Sequence, residues 1–212
     1  MKNYYNKKYF KWQSGVGEFG GLANLAKFSK HIGFKDNVID FGCGGGYLLK
    51  NIRCKNKIGI EINLAARKTA FLNGIKTVSS ARYVPNSWAD VIISNNVLEH
   101  TNNPFNELKS LLPKLKKGGI IVFIVPCDSY KYKFDLHDIN KHLYSWSPMN
   151  LGNIFTTVGY KVVSVEPYLE KWPIFYGLIA KILGMGTFRL LSKINGLINT
   201  KWVQIRIVAK KI

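Results

Sequence analysis

The chain has 212 residues, of which 47% are hydrophobic and 13% aromatic. These values exclude an intrinsically disordered protein and fit a single globular domain. Three widely spaced cysteines exclude a disulfide framework and a zinc ribbon. Thirty-one Lys and Arg face twelve Asp and Glu, a net charge of +19. That excess favours a polyanionic partner, although a compositional bias toward Lys, Asn and Ile explains it equally well.

The N-terminal segment is polar and basic, and no apolar stretch follows it, so we expect no signal peptide. The most apolar region, residues 172–198, is interrupted by Lys181 and Arg189. A membrane-spanning helix needs about 20 apolar residues, so this region is not expected to span a bilayer. We therefore expect a cytoplasmic protein, which agrees with free cysteines.

Strand patterns alternate with helix patterns along the chain. The predicted strands are residues 38–41, 57–62, 75–79, 89–94, 120–125, 160–165 and 202–210. The predicted helices are residues 47–52, 64–73, a helix that begins at Pro104 after the cap Asn103 and ends near Pro113, and residues 151–158. This alternation predicts an α/β fold: a doubly wound, seven-stranded, mostly parallel sheet with helices on both faces.

We expect one domain over residues 1–212. Residues 1–35 would form an N-terminal lid, 36–167 a cofactor-binding core, 168–200 a helical insertion and 201–212 the last strand. Glycines 184 and 186 are expected to split the insertion into two helices. Aromatic residues among the N-terminal lysines could cover a cofactor or stack on bases; they are Tyr4, Tyr5, Tyr9, Phe10 and Trp12.

A glycine-rich turn between the first strand and first helix is the strongest chemical signal. Its pattern is G-x-G-x-G from Gly42, and Tyr47 stands where a dinucleotide fingerprint requires glycine. Asp40, two residues before the turn, would repel a pyrophosphate and attract a cation. Glu61, at the end of the second predicted strand, is placed to accept the hydroxyls of a ribose. S-adenosylmethionine combines a ribose with positive charge, whereas a nicotinamide oxidoreductase is disfavoured.

Five segments in register resemble class I S-adenosylmethionine-dependent methyltransferases of the small-molecule, "vLEH" type. They are residues 38–46, 59–63, 80–85 together with 88–92, 95–100 and 115–120, within a resemblance that covers 36–167. The resemblance implies S-adenosylmethionine as cofactor and S-adenosylhomocysteine as product. It implies these cofactor-binding residues: Asp40, Gly42, Cys43, Gly44, Glu61, Ile62, Ser80, Ala81 and Asn95. Ser80 departs from the Asp that many relatives carry at the adenine edge.

A general base accelerates methyl transfer to a hydroxyl, and histidine suits that role near neutral pH because its ordinary pKa is close to 7. Two histidines fall in loops at the carboxyl edge of the predicted sheet. We expect His142, and after it His100, to be the catalytic candidates. The segment with Asp135, His137, Asp138 and His142 also contains metal-ligand types, but its spacing matches no established metal motif, so no metal is expected.

We therefore expect an S-adenosylmethionine-dependent methyltransferase that O-methylates a small molecule, such as a sugar or nucleotide-sugar in a surface-polysaccharide pathway. The acceptor could be anionic. The alternatives are an RNA methyltransferase and a non-catalytic, basic, membrane-associated module. From Lys171 onward there are eight Lys or Arg and no acidic residue, so residues 172–198 could contact an anionic membrane. A homodimer is also compatible with the sequence.

Overall fold

The computed structural model describes Phe10 and residues 14–129, 131–199 and 203–212. The predicted lid aromatics Tyr4, Tyr5, Tyr9 and Trp12, and the start of the last predicted strand at Trp202, lie outside this part. The strands are β1 (Asn37–Phe41), β2 (Asn56–Ile60), β3 (Thr77–Val78), β4 (Ala89–Asn95), β5 (Leu115–Cys127), β6 (Lys161–Tyr168) and β7 (Val203–Lys210). The helices are α1 (Gly17–Phe28), α2 (Tyr47–Asn51), α3 (Leu64–Leu72), α4 (Pro104–Leu111), α5 (Pro148–Val158) and α6 (Tyr176–Ile198).

The seven strands of the described residues form one sheet in the order β3-β2-β1-β4-β5-β7-β6. The pairs among β1 to β5 are parallel, and β7 runs antiparallel to both of its neighbours. The predicted mostly parallel α/β sheet is thus confirmed. The strand order reverses between β1 and β4, and open α/β sheets bind ligands at the carboxyl ends of the strands beside such a reversal.

Helices cover both faces of the sheet, and each face has its own apolar core. On one face α4 and α5 insert Leu108, Leu111 and Phe155 against the strands. These residues follow helical spacing, which places them on one side of each helix. On the other face, a second cluster contains Phe28 of α1, Leu49 of α2 and Ala70 of α3. The two cores hold the sheet edge, and the loops on it, in fixed positions.

Several element boundaries differ from the predicted ones for local reasons. Strand β3 has two residues instead of five, and the Ile75 amide, predicted to begin it, instead donates to the Ala70 carbonyl oxygen (2.9 Å) of α3. Strand β5 is longer than predicted, since Leu115 pairs with Ala89 across an irregularity in the ladder. Strand β2 ends at Ile60, which leaves the predicted last residues of that strand in the following loop.

Helix α6 changes direction at Gly184, whose φ of 82° and ψ of 163° are non-helical. The predicted division of the insertion therefore occurs at this residue. One side of α6 packs through Phe188 against Phe19 of α1, with ring centroids 5.1 Å apart, and against Trp172 at 6.0 Å. Within the described ranges, no helix has the length and apolar character needed to cross a membrane.

Candidate active site

The turn after β1 brings the backbone very close to the loop after β4. Gly42 has a φ of +76°, and a Cβ at this position would lie 2.3 Å from the Val97 side chain. Glycine is therefore required both for the left-handed conformation and for the close approach. Gly46, also left-handed with φ 75°, immediately precedes α2. The turn thus presents bare backbone at the sheet edge where ligands bind.

Two acids flank this turn. Asp40 is only 3% exposed, and no basic residue of the described part lies within ion-pair distance of it. Burial and the nearby Glu61 raise the pKa of Asp40 well above its usual value. Glu61 accepts hydrogen bonds from the backbone amides of Gly44 (3.0 Å) and Asn63 (2.7 Å). The net effect of burial is to raise the pKa of Glu61, although those bonds oppose it. A cationic ligand at the turn would be the positively charged partner that the Asp40 carboxylate lacks.

Two cavities meet at Gly42. The first, which we call the Asp40 cavity, has a volume of about 280 Å³ and lies beneath α1. The second, the Glu61 cavity, has a volume of about 430 Å³. Of the predicted cofactor residues, Asp40, Gly42, Cys43, Gly44 and Asn95 line the first cavity, and Gly42, Glu61, Ile62, Ser80 and Ala81 line the second. The structure brings all nine together, while their binding roles stay predictions. A buried acid, a glycine cradle and a second acid fit the charge and extended shape of S-adenosylmethionine.

A third cavity of about 600 Å³, the His142 cavity, joins the first two. It shares Asn95 with the Asp40 cavity and both Asn96 and His100 with the Glu61 cavity. The amide of Leu143 donates to the Glu99 carbonyl oxygen at 3.0 Å, which fixes the loop after β5 against the turn after β4. A molecule in this cavity would therefore lie beside any ligand held at the glycine turn.

The two predicted catalytic histidines are neighbours in this cavity, with ring centroids 5.0 Å apart. Their environments differ. Nδ1 of His142 is 3.0 Å from a carboxylate oxygen of Asp128, and this hydrogen bond raises the pKa of His142. Burial instead lowers the pKa of His100 to about 4. His100 is therefore neutral at physiological pH, whereas His142 has the carboxylate support typical of a general base.

Glu99 is a functional candidate that sequence reasoning did not select. Its side chain is 0% exposed, and neither carboxylate oxygen has a hydrogen-bond partner within the described ranges. Burial raises the pKa of Glu99 to about 8, so this carboxyl group is mostly protonated at neutral pH. No local sequence pattern predicts the burial of Glu99, because this burial depends on how the loop after β5 packs against the turn after β4.

Glu99, His100 and His142 offer three possible metal-ligand atoms, all within 4.8 Å of one another. The residue types suit a transition metal. Of the predicted metal-ligand types Asp135, His137, Asp138 and His142, this cluster includes only His142, and His137 is exposed. The expectation that no metal is needed stays a prediction.

The fold and this edge site are those of a Rossmann-like enzyme with a binding site for a cofactor that contains a nucleoside. Comparison with known proteins makes the class specific: the chain belongs to the methyltransferase domain family, whose model matches residues 18–165. It is therefore a methyltransferase domain, as the sequence predicted.

Curated relatives and solved structures agree with this family. The ubiquinone biosynthesis O-methyltransferase of Shewanella pealeana is 27% identical over 131 residues, 53% of this chain and 56% of the relative. The chain spans about half the length of the curated relatives it matches. A SAM-dependent methyltransferase from Archaeoglobus fulgidus has a TM-score of 0.67 at 19% identity, covering 96% of this chain and 99% of that one. A complex between the Haloferax volcanii Trm112 methyltransferase activator and a methyltransferase gives a TM-score of 0.69 at 14% identity, with coverage of 97% and 94%.

Proposed function

We propose that this methyltransferase O-methylates a small hydroxylated molecule, such as a sugar or nucleotide-sugar, bound in the His142 cavity. The observation that carries the proposal is the Asp128–His142 pair, joined at 3.0 Å, in a cavity that adjoins both cofactor cavities. The curated relatives support oxygen as the accepting atom, because they are named O-methyltransferases.

The residues of the three cavities have different roles in binding and proton transfer. S-adenosylmethionine supplies an activated methyl group on a sulfonium, so alignment of the acceptor contributes much of the rate. Asp40 and the backbone of the glycine turn hold the positively charged end, and Glu61 accepts hydrogen bonds from the ribose hydroxyls. His142 takes the proton of the acceptor hydroxyl at Nε2, and Asp128 orients the ring and stabilises its protonated form.

Methyl transfer from radiolabelled S-adenosylmethionine to a panel of hydroxylated sugars, nucleotide-sugars and phenols tests the proposal. His142→Gln should lower the rate by roughly 10²–10⁴-fold, the usual contribution of a general base. Its affinity for S-adenosylhomocysteine, measured by calorimetry, should stay within about twofold of the original, because the ring does not line the Asp40 or Glu61 cavity. His137→Gln is the matched control, since His137 lies in the same loop and is exposed.

Two results would contradict this proposal. An unchanged rate for His142→Gln would show that His142 is not the general base, and label found only in total RNA would favour the RNA methyltransferase alternative.

Calorimetry with Asp40→Asn tests cofactor binding separately from acceptor binding. The Asp40→Asn protein should bind S-adenosylhomocysteine at least tenfold more weakly, because a buried charge-assisted contact is lost.

Helix α6 and the segment before it expose an apolar side to solvent. This exposed side supports a second proposal, that α6 contacts a membrane. The large exposed side chains in this region include Ile174, Phe175, Leu178, Ile182, Leu183 and Leu197. Exposed apolar residues, combined with eight Lys or Arg and no acidic residue after residue 170, are typical of helices that lie in an anionic membrane interface. We propose that this side of α6 docks on anionic lipid.

Cosedimentation with phosphatidylglycerol-containing vesicles tests the membrane contact. The double variant Leu178→Asn with Ile182→Asn should bind much less, and about 0.5 M NaCl should weaken binding by the original protein. Leu72→Asn is the control, because Leu72 is 83% exposed and lies on α3. Absence of vesicle binding, together with dimers in analytical ultracentrifugation that the double variant abolishes, would show that α6 binds a second copy instead.

A further inference from the structure

Lys27 is a buried lysine that lines the His142 cavity. It lies on α1 and is only 5% exposed. Its Nζ donates to the Asn95 side-chain oxygen (3.1 Å) at the end of β4 and to the Gln204 side-chain oxygen (2.8 Å) on β7. The Gln204 amide nitrogen donates to the Asn96 side-chain oxygen at 2.9 Å. This last bond fixes the amide so that its oxygen faces Lys27.

No carboxylate forms an ion pair with Lys27. All twelve Asp and Glu of the chain fall in the described ranges, and none of them lies within ion-pair distance of its Nζ. Lysine is rarely this buried unless it is paired, because burying an isolated charge is costly. Burial lowers the pKa of Lys27 to about 8, and the negative charge of Glu170, another residue lining the cavity, opposes that shift.

The two hydrogen-bond partners of Lys27 are neutral amides, and its Nζ also lies over the Tyr168 ring, 5.6 Å from the centroid. These contacts orient the ammonium group, but none of them places a negative charge within ion-pair distance of it. An ammonium has three N–H donors, and the two amide oxygens use two of them. An oxyanion that enters the cavity would provide both the missing acceptor and the missing charge. Lys27 lines the His142 cavity and is absent from the lining of the Asp40 cavity, so the acceptor is the molecule within its reach.

We propose that Lys27 binds a carboxylate on the methyl acceptor, so that the enzyme selects hydroxylated acids over neutral molecules of the same shape. This inference rests on the proposed function, because it identifies the occupant of the His142 cavity as the acceptor. Lys27 would act as a specificity-determining residue, holding the acid group while His142 faces a hydroxyl.

Binding measurements on the protein saturated with S-adenosylhomocysteine test this inference without any methyl transfer. The probes are matched pairs: glucuronate against glucose, and 3,4-dihydroxybenzoate against 3,4-dihydroxybenzyl alcohol. The acid of at least one pair should bind at least tenfold more tightly than its neutral partner, as expected for a charge-assisted hydrogen bond in a buried site. Lys27→Met, which keeps the length of the apolar stem, should abolish that preference. Lys30→Met, an exposed lysine close by, should preserve it.

An NMR titration of the Lys27 ammonium provides a second readout. Its pKa should rise by at least one unit when the preferred acid binds and stay unchanged with the neutral partner. Equal or undetectable binding of acid and neutral probes up to about 0.1 M would overturn the inference. So would a loss of S-adenosylhomocysteine affinity in Lys27→Met, because that result would assign Lys27 to the cofactor. Absence of methyl transfer to any hydroxyl, with the acid preference intact, would instead contradict only the proposed reaction.

Discussion

The buried carboxyl group of Glu99 should make this protein less stable as the pH rises. Its pKa is about 8 in the folded protein, against an ordinary value of 4.5. Between these two values the folded protein keeps a proton that the unfolded chain has lost. Stability therefore falls as pH rises from about 4.5 to about 8, and Glu99 causes no further loss above that range.

Replacing Glu99 with Gln removes this dependence while keeping the size of the side chain. Each pKa unit corresponds to about 1.4 kcal/mol, so the variant should be more stable by about 3 kcal/mol at pH 7. At pH 5 the difference should shrink to about 1 kcal/mol, because the carboxyl group is protonated in the folded state and is still partly protonated in the unfolded chain. For a chain of this length, the difference at pH 7 corresponds to a Tm increase of roughly 6–12 °C.

Urea denaturation of both proteins at pH 5, 6, 7 and 8, in a buffer with EDTA, measures the effect. The chelator prevents a divalent metal from holding Glu99 in its charged form. Glu18→Gln is the control, because Glu18 is exposed and its ion pair with Lys50 should contribute little. Stability profiles for Glu99→Gln and the original protein that stay parallel from pH 5 to 8 would refute the reasoning, because they would mean that Glu99 ionises near its ordinary pKa.

Three further predictions address the cofactor, the base and the packing of α1. Glu61→Gln should weaken S-adenosylhomocysteine binding by roughly 10–100-fold in calorimetry, because a charged acceptor for the ribose is lost; unchanged affinity would place the ribose elsewhere. Asp128→Asn should lower the imidazole pKa of His142 in an NMR titration, since their hydrogen bond raises it, and an unaltered pKa would contradict that cause. Gly21→Ala should cost about 1–3 kcal/mol in urea denaturation, because its Cβ would lie 2.4 Å from a backbone oxygen of α2. Gly20→Ala has ample room and should leave stability nearly unchanged.

Most of the fold was predictable because it depends on short-range patterns. Apolar runs and helical spacing located the strands and helices, and the cap Asn103 followed by Pro104 gave the start of α4 correctly. The ends of elements were less predictable. Strand β3 does not begin at Ile75, because the amide of Ile75 donates to Ala70 of α3, and no periodicity in the sequence encodes that competition.

The sequence by itself determined the glycine turn and its two acids. Asp40, Gly42 and Glu61 lie at ends of adjacent parallel strands, so their meeting follows from the order of β1 and β2 along the chain. Only the tertiary structure decided the rest of the site. Lys27 and Gln204 are 177 residues apart and meet because β7 inserts between β5 and β6, beside the C-terminal part of α1. The burial of Glu99 likewise arises where a distant loop closes over it. Burial and ion pairing depend on every neighbour in space, and the excess of basic residues in the sequence did not indicate which lysine would be buried without an ion-pair partner.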